Sequence, residues 1–135
     1  MAGARFPEIR AVAAEGGYGD FAEGAIGLGT GASILETIFK ASMAISYRVI
    51  SGTDIDKLSP EEMIGSIAPR PVLLIYGSRE RSLGGAHRQL AAAGENAELW
   101  VVEGAGHGNY LTIAPEEYER RVVTFFDKAL FGGED

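Results

Sequence analysis

His107 stands in Gly104-Ala105-Gly106-His107-Gly108, a run of small residues from which an imidazole can project into a cleft. An imidazole titrates near neutral pH, so a histidine held this way suits general-base work, such as taking a proton from a nucleophilic hydroxyl. The competing reading is a loop histidine that caps backbone groups. His87, the other histidine, lies in a helical pattern beside Arg88 and reads as a solvated or half-buried helix residue. There is no cysteine, so a thiolate nucleophile, a thiolate metal site and a disulfide framework are all excluded. No second histidine or carboxylate sits at ligand spacing from His107, and neither a metal nor a cofactor is expected.

A hydroxyl nucleophile is harder to find. No Gly-x-Ser-x-Gly turn occurs in the sequence. Ser33 has Gly31 two residues before it but Leu35 two after. Ser82 has Gly84 after it but Glu80 before it. They read as a helix cap and a turn residue. Ser33 or Ser78 as an unusual nucleophile near His107 is a weaker option. Gly27-Leu28-Gly29-Thr30-Gly31-Ala32 matches Gly-x-Gly-x-x-Ala, but Phe21–Ile26 ahead of it makes a poor strand. A flexible lid entry is expected there rather than a phosphate site.

The elements that position His107 follow from the apolar pattern. Three strands are expected, over about Ile9–Glu15, Pro71–Tyr76 and Glu98–Val102. Their apolar runs are continuous rather than alternating, as in parallel strands covered on both faces. Helical spacing marks Ser33–Ile50, Gly85–Ala93 and Pro115–Leu130. Ser59-Pro60-Glu61-Glu62 is a helix start: a capping serine, proline at the first position, carboxylates in the first turn. Tyr118, Val122, Phe125, Phe126 and Ala129 form the buried stripe expected of the last helix. The apolar face of Ser33–Ile50 is expected to pack the core, with a substrate channel as the lesser choice. Strand and helix alternate, so the class is α/β with a parallel sheet.

The chain of 135 residues is long enough for one modest core. Its apolar fraction of 46% and charged fraction of 23% are ordinary for a globular domain. A net charge of −7 argues against nucleic acid or an anionic membrane as partner. Glu36, Lys40 and Arg48 interrupt the longest apolar region, which makes it a poor membrane span. With no signal segment in view, a cytoplasmic location is the expectation.

From Ser59 onward the residues resemble the C-terminal half of the α/β-hydrolase superfamily, near its esterase, dienelactone-hydrolase and oligopeptidase-like branches. The resemblance rests on Ile67-Ala68-Pro69-Arg70-Pro71-Val72-Leu73-Leu74-Ile75-Tyr76-Gly77, on Gly104-Ala105-Gly106-His107, and on the closing helix from Pro115. It extends more weakly back to about Ile9. It implies that His107 is the base and that Glu80, just after the second strand, is the acid that orients the imidazole. Asp is the commoner residue at that position, and Glu80 between Arg79 and Arg81 also reads as an exposed turn carboxylate. Asp20 and Asp54 sit in connections and do not match the motif. The resemblance further implies a partial α/β-hydrolase fold, with about three parallel strands, flanking helices and residues 17–58 as a cap or lid.

Two functions follow as expectations. One is a serine-type hydrolase of an ester, thioester or amide, acting through an acyl-enzyme. This chain would then hold its base and acid as a fragment or one part of a split enzyme, and would be inactive alone. The other is a non-catalytic interaction module. Its opening strand, central in the full fold, would be an open edge that pairs with a second copy or a partner chain.

Overall fold

The computed structural model describes residues 2–18, 33–52 and 59–132. Leu, Ile and Tyr dominate Val72–Gly77, and that strand, β2, is buried along its whole length. It is buried because it is central. Strand β1 (Val12–Glu15) pairs with it in parallel on one side, with Val12 opposite Val72. Strand β3 (Ala97–Val102) pairs in parallel on the other, with Val72 opposite Ala97. The order β1-β2-β3 makes three parallel strands in one sheet.

Alternation along β2 sends residues to two faces. Val72, Leu74 and Tyr76 join Ile64, Ile67, Ala86 and Ala93 in one apolar cluster. Leu73 and Ile75 join Trp100, Val102, Ala105 and Tyr110 in the other. The first face is covered by α3 (Pro60–Ile64) and α4 (Leu83–Ala93), after the short opening α1 (Ala2–Arg5) and the long α2 (Ile34–Ser51). The second is covered by α5 (Tyr110–Ile113) and α6 (Pro115–Phe131), from which Tyr118, Val122 and Phe125 pack onto the cluster. The Ser59 hydroxyl accepts the Glu62 N–H at 3.3 Å and caps α3 as its sequence predicts. Such a cap is worth roughly 1 kcal/mol.

The structure departs from the expectations at both ends of the first half. Strand β1 begins at Val12, not Ile9. Its first inter-strand hydrogen bond runs from the Val12 N–H to the Pro71 carbonyl at 3.0 Å, and the Arg70 side chain takes the carbonyls of Phe6 and Ile9 instead. Helix α2 forms where its periodicity placed it, but its apolar face does not enter the core: Ile34 is 80% exposed and Ile50 85%. Periodicity fixes a helix's apolar side, not what covers it. Much of the expected lid lies outside the described residues, as do Gly27–Ala32, Asp20 and Asp54. Among the described residues no helix is long and apolar enough to cross a membrane.

Candidate active site

Two turns leave the C-terminal ends of β2 and β3 side by side. In the first, the Glu80 N–H closes onto the Gly77 carbonyl at 3.1 Å. In the second, Gly104 adopts a φ of 77° and Gly108 a φ of 78°, left-handed conformations that favour glycine. The turns are stitched together. Ser78 N–H donates to Val102 O, Arg79 N–H donates to Ala105 O, and Gly104 N–H donates to Ser78 Oγ at 2.9 Å. Gly77 must be glycine, because a Cβ there would overlap the Ala105 carbonyl.

These contacts bring Glu80 and His107 together. Nδ1 of His107 lies 3.3 Å from Glu80 Oε2. The carboxylate is 2% exposed while the imidazole is 72% exposed. Glu80 is therefore not a solvated turn residue. Its Oε1 accepts the Gly77 N–H at 2.7 Å and the Tyr110 hydroxyl at 2.5 Å. Its Oε2 accepts the Ser82 hydroxyl at 3.0 Å as well as facing His107. Burial alone would raise the Glu80 pKa, but hydrogen bonds from Tyr110, Gly77, Ser82 and His107 outweigh it and hold the carboxyl below its ordinary range. Burial and the same carboxylate together push the Tyr110 phenol up, so it stays protonated and keeps donating.

A carboxylate only accepts, so this contact favours the Nδ1–H tautomer of a neutral imidazole, which leaves the Nε2 lone pair free. No described residue hydrogen-bonds Nε2. This arrangement can take a proton at Nε2 while Glu80 stabilises the charge that develops on the ring.

The turn after β1 forms a wall of the same site. Gly16 has a φ of 53°, and a Cβ on it would run into the Tyr110 hydroxyl and the His107 ring. Tyr76 steadies this turn: its hydroxyl donates to Gly17 O at 2.8 Å and accepts from the nearly buried Gln89 side chain at 3.0 Å. At the end of β1, Glu15 takes the hydroxyl of Tyr118, and that bond, with burial behind it, pushes the phenol up to about 12. Asn109 Oδ1 accepts the Gly106 N–H at 2.8 Å and shapes the loop that carries His107.

The serines sit elsewhere in function. Ser78 is bound to Glu103 and Gly104, and Ser82 to Glu80; neither hydrogen-bonds His107. Ser33 stands at the start of α2, where its carbonyl accepts from Thr37. His87 is exposed on α4, as its sequence context suggests. No group of three or more His, Cys, Asp or Glu gathers as a metal site among the described residues.

Sequence reasoning missed Gly16, Tyr110 and Asn109, and also Gly77 and Ser82 as partners of Glu80. For Gly77 and Ser82 a local signal existed: a carboxylate three residues after a strand-end glycine and two before a serine can satisfy both. Tyr110 is 30 residues from Glu80 and only the fold unites them.

No family model matches the chain. One curated relative, the uncharacterized protein PA2218 of Pseudomonas aeruginosa, is 39% identical over 67 residues, which are 50% of this chain and 18% of that protein. The crystal structure of hypothetical protein PA2218 superposes with a TM-score of 0.68 at 21% identity, covering 96% of this chain and 56% of the other. The α/β hydrolase GrgF from Penicillium sp. sh18 superposes with a TM-score of 0.64 at 14% identity, covering 96% and 58%. The chain thus spans little more than half of either solved structure. With three parallel strands, helices on both faces and this likeness across nearly all of its length, the chain has part of an α/β-hydrolase fold.

Proposed function

We propose that this chain contributes the base and the acid of a serine-type α/β hydrolase. His107 accepts the nucleophile's proton at Nε2 and returns it to the leaving group. Glu80 holds the Nδ1–H tautomer and stabilises the imidazolium. The substrate is an ester, thioester or amide, cleaved through an acyl-enzyme. The nucleophile and the oxyanion hole come from residues outside this sequence. The observation that carries the reading is the buried Glu80 carboxylate, held by three other donors and presented to an exposed imidazole.

The test is intact mass after incubation with a fluorophosphonate probe. The folded chain alone is expected to gain no adduct. Mixed with a complementary α/β-hydrolase segment that carries a Gly-x-Ser-x-Gly turn, the assembled complex is expected to gain one adduct on that serine. His107→Ala in this chain abolishes it. A His107-dependent adduct on the isolated chain, or an assembled complex that stays unlabelled, contradicts the proposal.

A second reading draws on the strand order, which leaves one edge of β1 unpaired among the described residues. In that reading the chain is a non-catalytic module that assembles along β1 with another copy or another chain. It predicts assembly without any His107-dependent labelling.

A further inference from the structure

At the opposite end of the sheet from His107, a groove of about 470 Å³ runs between α6 and the starts of β2 and β3. That volume is within the range of small-molecule sites, roughly 300–1,000 Å³. Leu73 and Phe125 give it an apolar floor, and Arg120, Arg121 and Lys128 line it with positive charge. The groove is unrelated to the acid–base pair, which uses none of these residues.

Its charge is not fully compensated. Glu117 takes Arg120 through two hydrogen bonds, at 2.8 and 2.6 Å, and Arg121 through a third at 2.6 Å. Two guanidiniums therefore share one carboxylate, and the trio keeps a net positive charge. Those bonds, and the guanidiniums beside it, hold the Glu117 carboxyl down to about 2, so the trio keeps its form across the physiological range. Glu98 lines the groove as its one carboxylate, and Lys128 adds a further cation. Arg121 and Lys128 stand seven residues apart on α6, about 10 Å along the axis, so their long side chains can converge on one head group. Thr124 lies between them and offers a hydroxyl.

We infer that this groove binds an amphiphilic anion: a carboxylate or phosphate-ester head group held by Arg120, Arg121 and Lys128, with an apolar body seated on Leu73 and Phe125. The charge and the floor are both needed. A bare cationic surface would take any small anion, and a bare apolar one any neutral body.

The molecule carries its own reporter. Trp100 is its single tryptophan, and the Arg121 guanidinium lies 5.1 Å above its ring. An anion that engages Arg121 perturbs this stack and the tryptophan emission. The experiment titrates the chain with hexanoate, phenyl phosphate and, as a neutral control, hexanol, following Trp100 fluorescence and the amide shifts of residues 120–129. Hexanoate, phenyl phosphate or both are expected to give a saturable response, and which of them binds names the head group. Hexanol is expected to give none. Lys128→Gln, a surface change remote from Trp100's stack, is expected to weaken binding about tenfold, the equivalent of one charge-assisted hydrogen bond. No saturable response to either anion, an equal response to hexanol, or unchanged affinity in Lys128→Gln overturns the inference.

Discussion

Glu80→Ala is expected to cost the fold about 3 kcal/mol, because it removes a buried charged acceptor and strands its donors. Tyr110 is 2% exposed and its hydroxyl has Glu80 as its acceptor. The Gly77 N–H and the Ser82 hydroxyl lose the same partner. The pH dependence has a definite sign. The Glu80 pKa is held below its ordinary value of 4.5 in the folded state, so its contribution is present above that value. It is lost as pH falls through the folded value, because the unfolded chain takes up the proton first. Urea unfolding of wild type and variant at neutral pH, and again at acid pH, checks both points. The stability gap is expected to narrow on acidification. A gap below about 0.5 kcal/mol at neutral pH, the size of an ordinary surface change, contradicts this role for Glu80.

Gly16→Ala is expected to do comparable damage by a different route. The added methyl enters space held by the Tyr110 hydroxyl and the His107 imidazole. It also forces an L side chain to a φ of 53°. Left-handed backbone costs roughly 1–2 kcal/mol and crowding in a packed site typically adds 1–3, so a total of about 3 kcal/mol follows. The site suffers with the fold: His107 is the exposed and movable neighbour, so it swings away from Glu80. Gly84→Ala is the control, because a Cβ at Gly84 in α4 meets nothing within 4 Å. Thermal unfolding and the His107 ring resonances read the two effects. Gly16→Ala with wild-type stability and an undisturbed imidazole contradicts the packing described above.

Much of this architecture is legible in the residues. Val72-Leu73-Leu74-Ile75 announces a strand buried on both faces, and β2 is that strand. Ser59-Pro60 announces the start of α3. His107 is marked by the glycines around it and by the strand before it. The rest depends on contacts that span the chain. Gly16 looks like a flexible turn residue, whereas its role is to lack a Cβ beside His107. Tyr110 carries no periodic signal, and its worth lies in meeting a carboxylate 30 residues away. Charge between Arg79 and Arg81 makes Glu80 look solvated, yet three donors besides His107 hold it under the surface. Helix α2 errs the other way: its apolar pattern suggests burial, and it lies exposed.

The measurement that bears most directly on the proposed acid–base pair is the tautomer of His107, read from long-range proton–nitrogen correlations at about pH 9, well above the ordinary imidazole range. Neutral imidazole left to itself prefers the proton on Nε2. In this protein the proton is expected on Nδ1, facing Glu80, with Nε2 free to accept another. Glu80→Gln, whose amide can donate where the carboxylate accepts, is expected to shift the proton towards Nε2. A wild-type His107 that carries its proton on Nε2, unchanged by Glu80→Gln, contradicts the assignment of these two residues as base and acid.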